Sequence, residues 1–298
     1  MVHLSMSRRE SETCYPDAHN LRSHPELGAF PGLQIDMPAP DLQSGLTTLH
    51  LGRVVHYVET CTSTRDLAPL LLADQDLPHG AVIVAGRQTA GRGTPGKTFA
   101  SDTPEGLWCT LVIDRPTPEP ITLLASVAVC RCLRSFGLLP HVKWPNDVLI
   151  DGLKISGCLS EPAQRPSGAP VHLLSIGLNI QQATFAQTPL DGIAVSVRML
   201  LGEGCPGIPR IFCRLMSMLE DLIVTCHDVR AEWLACTAML GRWYRLVRPG
   251  STILIVPVDL STEGHLIVQD AQGTRHRLAG SGDLDLRPHP RQEPPASR

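Results

Sequence analysis

Five consecutive residues, Lys143-Trp144-Pro145-Asn146-Asp147, put a cation, an aromatic ring, a rigid turn residue, an amide and a carboxylate side by side. Asn-Asp after Pro is a strong turn former, so the stretch is expected to sit at a bend. A second lysine, Lys154, follows eleven positions after Lys143. Upstream lies Gly91-Arg92-Gly93-Thr94-Pro95-Gly96, in which Arg92 is a fork-shaped donor suited to carboxylate or phosphate. Glycines let backbone N–H groups come close to a ligand, and open N–H groups in such a loop bind anions. A lysine beside a glycine-rich, arginine-bearing loop suits an anionic substrate. Plainer readings stand next to this one: a cross-strand ion pair for Lys154, a turn-capping carboxylate for Asp147, and a solvated surface loop for Arg92.

The glycines satisfy G-x-G-x-x-G after a strand, yet a dinucleotide fold needs a helix to start at the third glycine. Pro95 sits inside the motif and residues 98–104 are polar with no helical period, so that reading fails. No Gly-Lys-Ser/Thr is present, so it is not a P-loop either.

Regular elements must bring these groups together. Arg53 to Val58 is β-rich, and Ser63-Thr64 caps a helix over Leu67, Leu70 and Leu71. Strands are predicted at 81–85, 107–113 and 171–180, and core helices at 121–136 and from Pro209 over Ile211, Leu215, Leu219 and Leu222. Residues 148–160 read as a β-hairpin through Asp151-Gly152, which folds Lys154 back toward Asp147. After Trp243, short strands separated by Gly- and Asp-bearing turns make a small all-β module of roughly 45 residues. The division is a disordered leader over 1–45, a catalytic domain over 46–240, the β-module over 241–287 and a loose tail over 288–298.

Length and composition allow this and exclude other classes. The 298 residues suit one large domain or two smaller ones of about 100–200 residues each. Apolar residues make up 43%, enough for a core; the net charge of −3 offers no basic excess for nucleic acid. No apolar run approaches the ~20 residues of a membrane-spanning helix. The leader shows no pair of helices joined by a tight turn, so no helix-turn-helix is expected there. The ten cysteines are scattered without a Cys-x-x-Cys pair, which points to reduced thiols and a cytoplasmic location.

Read in order, Thr62-Ser63-Thr64, Gln88-Thr89-Ala90-Gly91-Arg92-Gly93, Lys143-Trp144-Pro145-Asn146-Asp147, Lys154-Ile155-Ser156-Gly157 and Ile176-Gly177-Leu178-Asn179-Ile180 resemble the biotin protein ligases. Gly264-His265-Leu266 and Gly282 to Leu286 resemble that family's small SH3-like module, so the likeness spans about residues 53–287. It implies an α+β fold, a mixed-sheet catalytic domain of the biotin/lipoate ligase type followed by an SH3-like β-barrel. It also implies ATP-dependent attachment of biotin to a lysine of a biotin carboxyl carrier domain, through biotinyl-5′-AMP.

By the same resemblance Arg92 and Lys154 hold charge around the biotin carboxylate and the α-phosphate. Ser63, Thr64, Gln88, Gly91, Thr94 and Gly157 border biotin; Phe99, Asn146 and Asn179 lie near the nucleotide; Asp147 assists deprotonation of the acceptor amine. ATP and Mg²⁺ enter as a substrate complex, with no metal-ligand motif in the chain. Three positions depart from the family pattern. Thr94 stands where many bacterial members carry Arg, which implies a leakier grip on the adenylate; Phe99 replaces a Trp near the adenine; Arg65 replaces a small amide. Lipoate or octanoate attachment on the same fold is the alternative, but its paired-arginine signature is missing. A non-catalytic biotin-binding protein is a second alternative. Monomer and homodimer are both compatible with the sequence.

Overall fold

A seven-stranded mixed sheet is followed by a five-stranded antiparallel one. This computed structural model describes residues 40–94, 96–114, 117, 120–225, 228–248, 251–280 and 285–289. Strand β1 (Val55–Cys61) leads into helix α1 (Thr64–Gln75), capped by Ser63, whose hydroxyl accepts from the Arg65 N–H at 3.3 Å. Strand β2 (Val82–Gln88) returns parallel to β1, with α1 as the crossover. Next come β3 (Gly106–Ile113), α2 (Ile121–Arg134), β4 (His141–Lys143), β5 (Asp147–Ile150), β6 (Leu153–Gln164) and β7 (Pro170–Asn179). The sheet order is β1-β2-β3-β7-β6-β5-β4, antiparallel throughout after the first pair. Asp151 and Gly152 adopt φ of 50° and 81°, the left-handed pair that a two-residue hairpin turn requires.

Three further helices follow: α3 (Val197–Leu201), α4 (Ile208–Thr225) and α5 (Val229–Cys236). Strand β4 and helices α3 and α5 were not legible in the sequence, because three to eight residues carry too little periodicity.

Period-two alternation along the strands sorts the sheet into two faces. Leu107, Cys109 and Leu111 of β3 and Leu174, Ile176 and Leu178 of β7 share one core with Leu124 and Ala128 of α2 and Phe212 and Leu215 of α4. On the other face, Leu67, Ala68, Leu71 and Leu72 of α1 pack against Val112 and Leu173. Helix α1 covers that face toward one end. Beyond it the same face forms a trough across β3, β7, β6 and β5.

Two expected boundaries move. Residues 40–45 belong to the folded part: Leu42 and Leu46 are buried in the core, and the Gln43 amide donates to the carbonyls of Gly52 and Arg53. Alternation with prolines hid two apolar anchors there. The rest of the leader, where a helix-turn-helix was not expected, lies outside the described residues. At the other end, Pro288 pairs with Tyr244, so the ordered chain runs past 287.

Residues 49–51 are fixed by Glu220 of α4, whose carboxylate accepts from the N–H groups of Leu49, His50 and Leu51 at 2.7, 2.7 and 3.0 Å. Burial pushes this carboxyl up, but the three backbone donors outweigh it and the net shift is downward. A carboxyl depressed in the folded state adds stability above its unfolded pKa, and that stability is lost as pH falls through the folded value. Glu220→Gln is therefore expected to unfold at lower urea than the parent at pH 7, with the gap closing below about pH 4. A gap of the same size at pH 3 would contradict this account.

The second sheet comprises β8 (Tyr244–Arg248), β9 (Ser251–Leu260), β10 (Leu266–Asp270), β11 (Arg275–Leu278) and β12 (Asp285–Pro288), in the order β11-β10-β9-β8-β12. The five strands agree with the expected SH3-like module; among the described residues no ladder joins β11 to β12. Its Leu246, Ile255, Leu266, Val268 and Leu286 belong to the same continuous core as α2 and α4. Trp233 and Trp243 are buried, as interface and core anchors should be.

Candidate active site

The register places one row of residues across the trough. Trp108 on β3 faces Gly177 on β7, Gly177 faces Gly157 on β6, Gly157 faces Asp147 on β5, and Asp147 faces Lys143 on β4. Two adjacent glycines thus leave a gap in the sheet's side-chain cover, with an indole on one side and a carboxylate and a lysine on the other. The Phe99 ring lies over that gap. A Cβ on Gly177 would come within 2.7 Å of the ring, and one on Gly157 within 3.3 Å. Phe99 meets Trp108 edge to face at 5.7 Å, and Lys154 Nζ stands 5.5 Å from the Phe99 ring centre. Gly177→Val is accordingly expected to drive the ring out of the gap and weaken ligand binding about tenfold, read by calorimetry on protein with an unchanged far-UV spectrum. Binding at parental strength would mean that the gap is not part of the seat.

Three lysines and two arginines line the cavity around this floor. Lys154 Nζ is 2.5 Å from Asp147 Oδ1, so the hairpin joins the groups that the sequence pattern singled out. The plain reading of an ion pair and the functional one describe the same geometry here, because both residues line one cavity. Arg92 lies at the rim, half exposed, 2.5 Å from Asp66 Oδ1 in the first turn of α1. Arg65 and Lys143 also line the cavity, as do Thr94, Asn146 and Lys97. The glycine loop forms no helix. Gly93 N–H donates to the Lys97 carbonyl and Lys97 N–H to the Thr94 carbonyl, a tight reversal that brings Phe99 back over the sheet.

Where β2 meets the start of α1, Ser63, Thr64 and Gln88 give the cavity a neutral polar section. Gln88 Oε1 accepts from the Thr64 N–H at 2.8 Å and from the Thr64 hydroxyl at 3.2 Å, with Ser63 Oγ at 3.4 Å. Gln88 Nε2 donates to Ser101 Oγ at 2.8 Å. The Thr110 hydroxyl lies 2.9 Å from both Thr64 Oγ1 and Ser175 Oγ. Hydroxyls and one amide, buried and mutually satisfied, form a pre-ordered donor–acceptor set for an uncharged polar ring. Ser175, which lines the cavity, and Ser101 and Thr110, which support Gln88, Thr64 and Ser175 from outside the lining, were missed in the sequence, since single hydroxyls inside or beside apolar strands carry no motif.

Two expected site residues fall elsewhere. Asn179 is buried outside the cavity lining, its amide donating to the Val195 carbonyl at 3.1 Å and the Lys154 carbonyl at 3.4 Å. It therefore holds the backbone of Lys154 in place. Gly91 is also outside the lining, and a Cβ there would strike Ser101 Oγ at 2.2 Å and the Phe99 carbonyl at 2.4 Å. Its smallness serves the chain's own close approach rather than a ligand's. Cys109 and Cys158 do reach the cavity, but burial pushes both thiols up to about 12, so neither is a thiolate at neutral pH. All eight cysteines among the described residues are free.

Trp144 turns away from the floor: its indole N–H donates to the Gly264 carbonyl at 3.0 Å, and Leu286 of the second sheet completes the lining. The small module therefore forms part of one wall. Among the described residues no three His, Cys, Asp or Glu side chains converge as a metal site.

Such a cavity on a mixed sheet, with neutral polar groups and cations in one lining, suits a ligand that carries both an uncharged polar group and an anion. The sequence profile of the Biotin/lipoate A/B protein ligase family matches residues 57–181. The bifunctional ligase/repressor BirA of Bacillus subtilis is 35% identical over 257 residues, which cover 83% of this chain and 78% of that protein. The biotin–[acetyl-CoA-carboxylase] ligase of Mycobacterium tuberculosis is 29% identical over 240 residues, 76% and 86% of the two chains. The biotin protein ligase of Aquifex aeolicus, solved with biotin and ATP, superposes with a TM-score of 0.65 at 21% identity, covering 80% of this chain and 100% of its own. The chain belongs to the biotin/lipoate A/B protein ligase family, among the biotin protein ligases.

Proposed function

We propose that the protein joins biotin to a lysine of a biotin carboxyl carrier domain in two steps. The observation that carries this reading is the mixed polarity of the cavity, the hydroxyl and amide groups of Ser63, Thr64 and Gln88 together with the cations Lys154, Arg92 and Lys143. Biotin's ureido ring takes the neutral groups, and its carboxylate reaches the cations. A carboxylate oxygen attacks the α-phosphorus of Mg·ATP, the bond to the bridging oxygen breaks, and pyrophosphate leaves with the electron pair. Two anions meet in this step, and Lys154 with Arg92 lowers their repulsion. Phosphate oxygens at Lys154 compete with Asp147 for its ammonium. Asp147 is thereby released to accept a proton as the acceptor lysine attacks the acyl carbon, the C–N bond forms and AMP departs. A reducing, cytoplasmic setting suits the free cysteines.

The test is pyrophosphate release and label transfer with purified protein, Mg·ATP, biotin and a carrier domain, with lipoate in parallel. Biotin-dependent pyrophosphate and labelled carrier are expected together. Pyrophosphate without transfer would favour an adenylate-holding protein, and activity with lipoate alone would overturn the biotin assignment. Thr94→Arg adds a cation at the loop that lines the cavity, where it can meet the adenylate's phosphate, so it is expected to slow release of the adenylate; release at the parental rate would count against the leakier grip assigned to Thr94.

A further inference from the structure

We propose that Arg65 is a positioning residue for this reaction, a latch that keeps the 92–98 loop closed while Arg92 is engaged by an anion. The inference rests on the proposed function for its ligand but not for its geometry. Arg65 is the second residue of α1, and its side chain is only 9% exposed. A cation that buried needs partners on every donor. Its Nε donates to Glu161 Oε2 at 2.8 Å, and a second guanidinium nitrogen lies 2.5 Å from Glu161 Oε1, so the fork is bidentate. The third nitrogen donates to the Gly93 carbonyl. Glu161 lies on β6 opposite Leu173, on the trough face. One planar group therefore ties together a helix, a sheet and the tip of the loop. Arg65 also holds the Glu161 carboxyl below its usual range, against the effect of burial.

The loop has few other holds. Its base is fixed by Thr89 N–H to the Cys61 carbonyl, Ala90 N–H to the Thr62 carbonyl and Phe99 N–H to the Gly91 carbonyl. Between 92 and 98, among the described residues, the bonds that leave the loop are Arg92 to Asp66 and Gly93 to Arg65. Arg92 is half exposed and must leave Asp66 to meet a bound carboxylate or phosphate. From that moment Arg65 is the remaining tie, its three nitrogens already engaged by Glu161 and Gly93. One of the three side chains that depart from the family pattern is thus the one that bonds beside Thr94.

Arg65→Met keeps the apolar stem and removes the fork. In the ligand-free full-length chain, tryptic cleavage at Lys97 is expected to quicken about tenfold. Release of preformed biotinyl-5′-AMP should also quicken about tenfold, and KM for biotin should rise, with the effect on kcat smaller than either. Arg65→Lys retains one bond and should fall between the two. Glu161→Gln loosens the same fork, and its effect should not add to that of Arg65→Met. Cleavage at the parental rate in both Arg65→Met and Glu161→Gln overturns the latch. Faster cleavage with unchanged adenylate release overturns its role in the reaction. If the parent forms no adenylate at all, the proposed function fails, and proteolysis alone decides the latch.

Discussion

Lys154→Ala is expected to lower biotin-dependent ATP–pyrophosphate exchange by about a hundred- to a thousandfold, the usual cost of losing one pre-positioned charge donor at a reacting anion. The residue is not simply one cation among several. Its ammonium is 2.5 Å from Asp147, it overhangs Gly157, and its backbone is held by Asn179 and by Ile193. Such fixed placement is what a charge needs in order to act without reorganising. Lys154→Gln preserves much of the length and polarity without the charge, and it should fare little better. Exchange above a tenth of the parental rate in both variants would remove Lys154 from the chemistry and leave it as a partner for Asp147.

Asp147→Asn is expected to slow transfer from preformed adenylate to a carrier lysine by about a hundredfold, within the usual contribution of a general base. Adenylate formation should suffer much less. An acceptor lysine with pKa ~10.4 is mostly protonated at neutral pH, so raising the pH should recover much of the lost rate in the variant. Single-turnover transfer measured from pH 6.5 to 9.5 separates the possibilities. Equal losses in both half-reactions, without recovery at high pH, would confine Asp147 to orienting Lys154.

The sequence made the long elements and the hairpin legible for physical reasons: α1, α2 and α4 carry helical periods with a cap or a proline start, and Asp151-Gly152 specifies its own turn. It also brought Lys154, Asp147, Ser63, Thr64, Gln88 and Arg92 to one cavity, because each sits in a local motif. What it hid depends on strand register. Gly177 acquires its meaning only opposite Gly157 and beneath Phe99, and Ser175 only beside Thr110. Asn179 and Gly91 share the motifs yet serve the backbone, which no spacing reveals. Arg65 read as an oddity because its partners are 28 and 96 positions away.

The border at residue 240 divides two topologies, but the apolar core crosses it without a break. Arg230 of α5 donates to the Leu260 carbonyl and Asp259, and Trp144 to the Gly264 carbonyl. A heat-absorption scan should accordingly show one cooperative transition, in which the β-module and the catalytic sheet melt together. Truncation after residue 240 would then bare the part of the core that Leu260 and Leu266 cover and leave Trp144 without its acceptor, so the shortened chain would tend to aggregate rather than persist as a smaller enzyme.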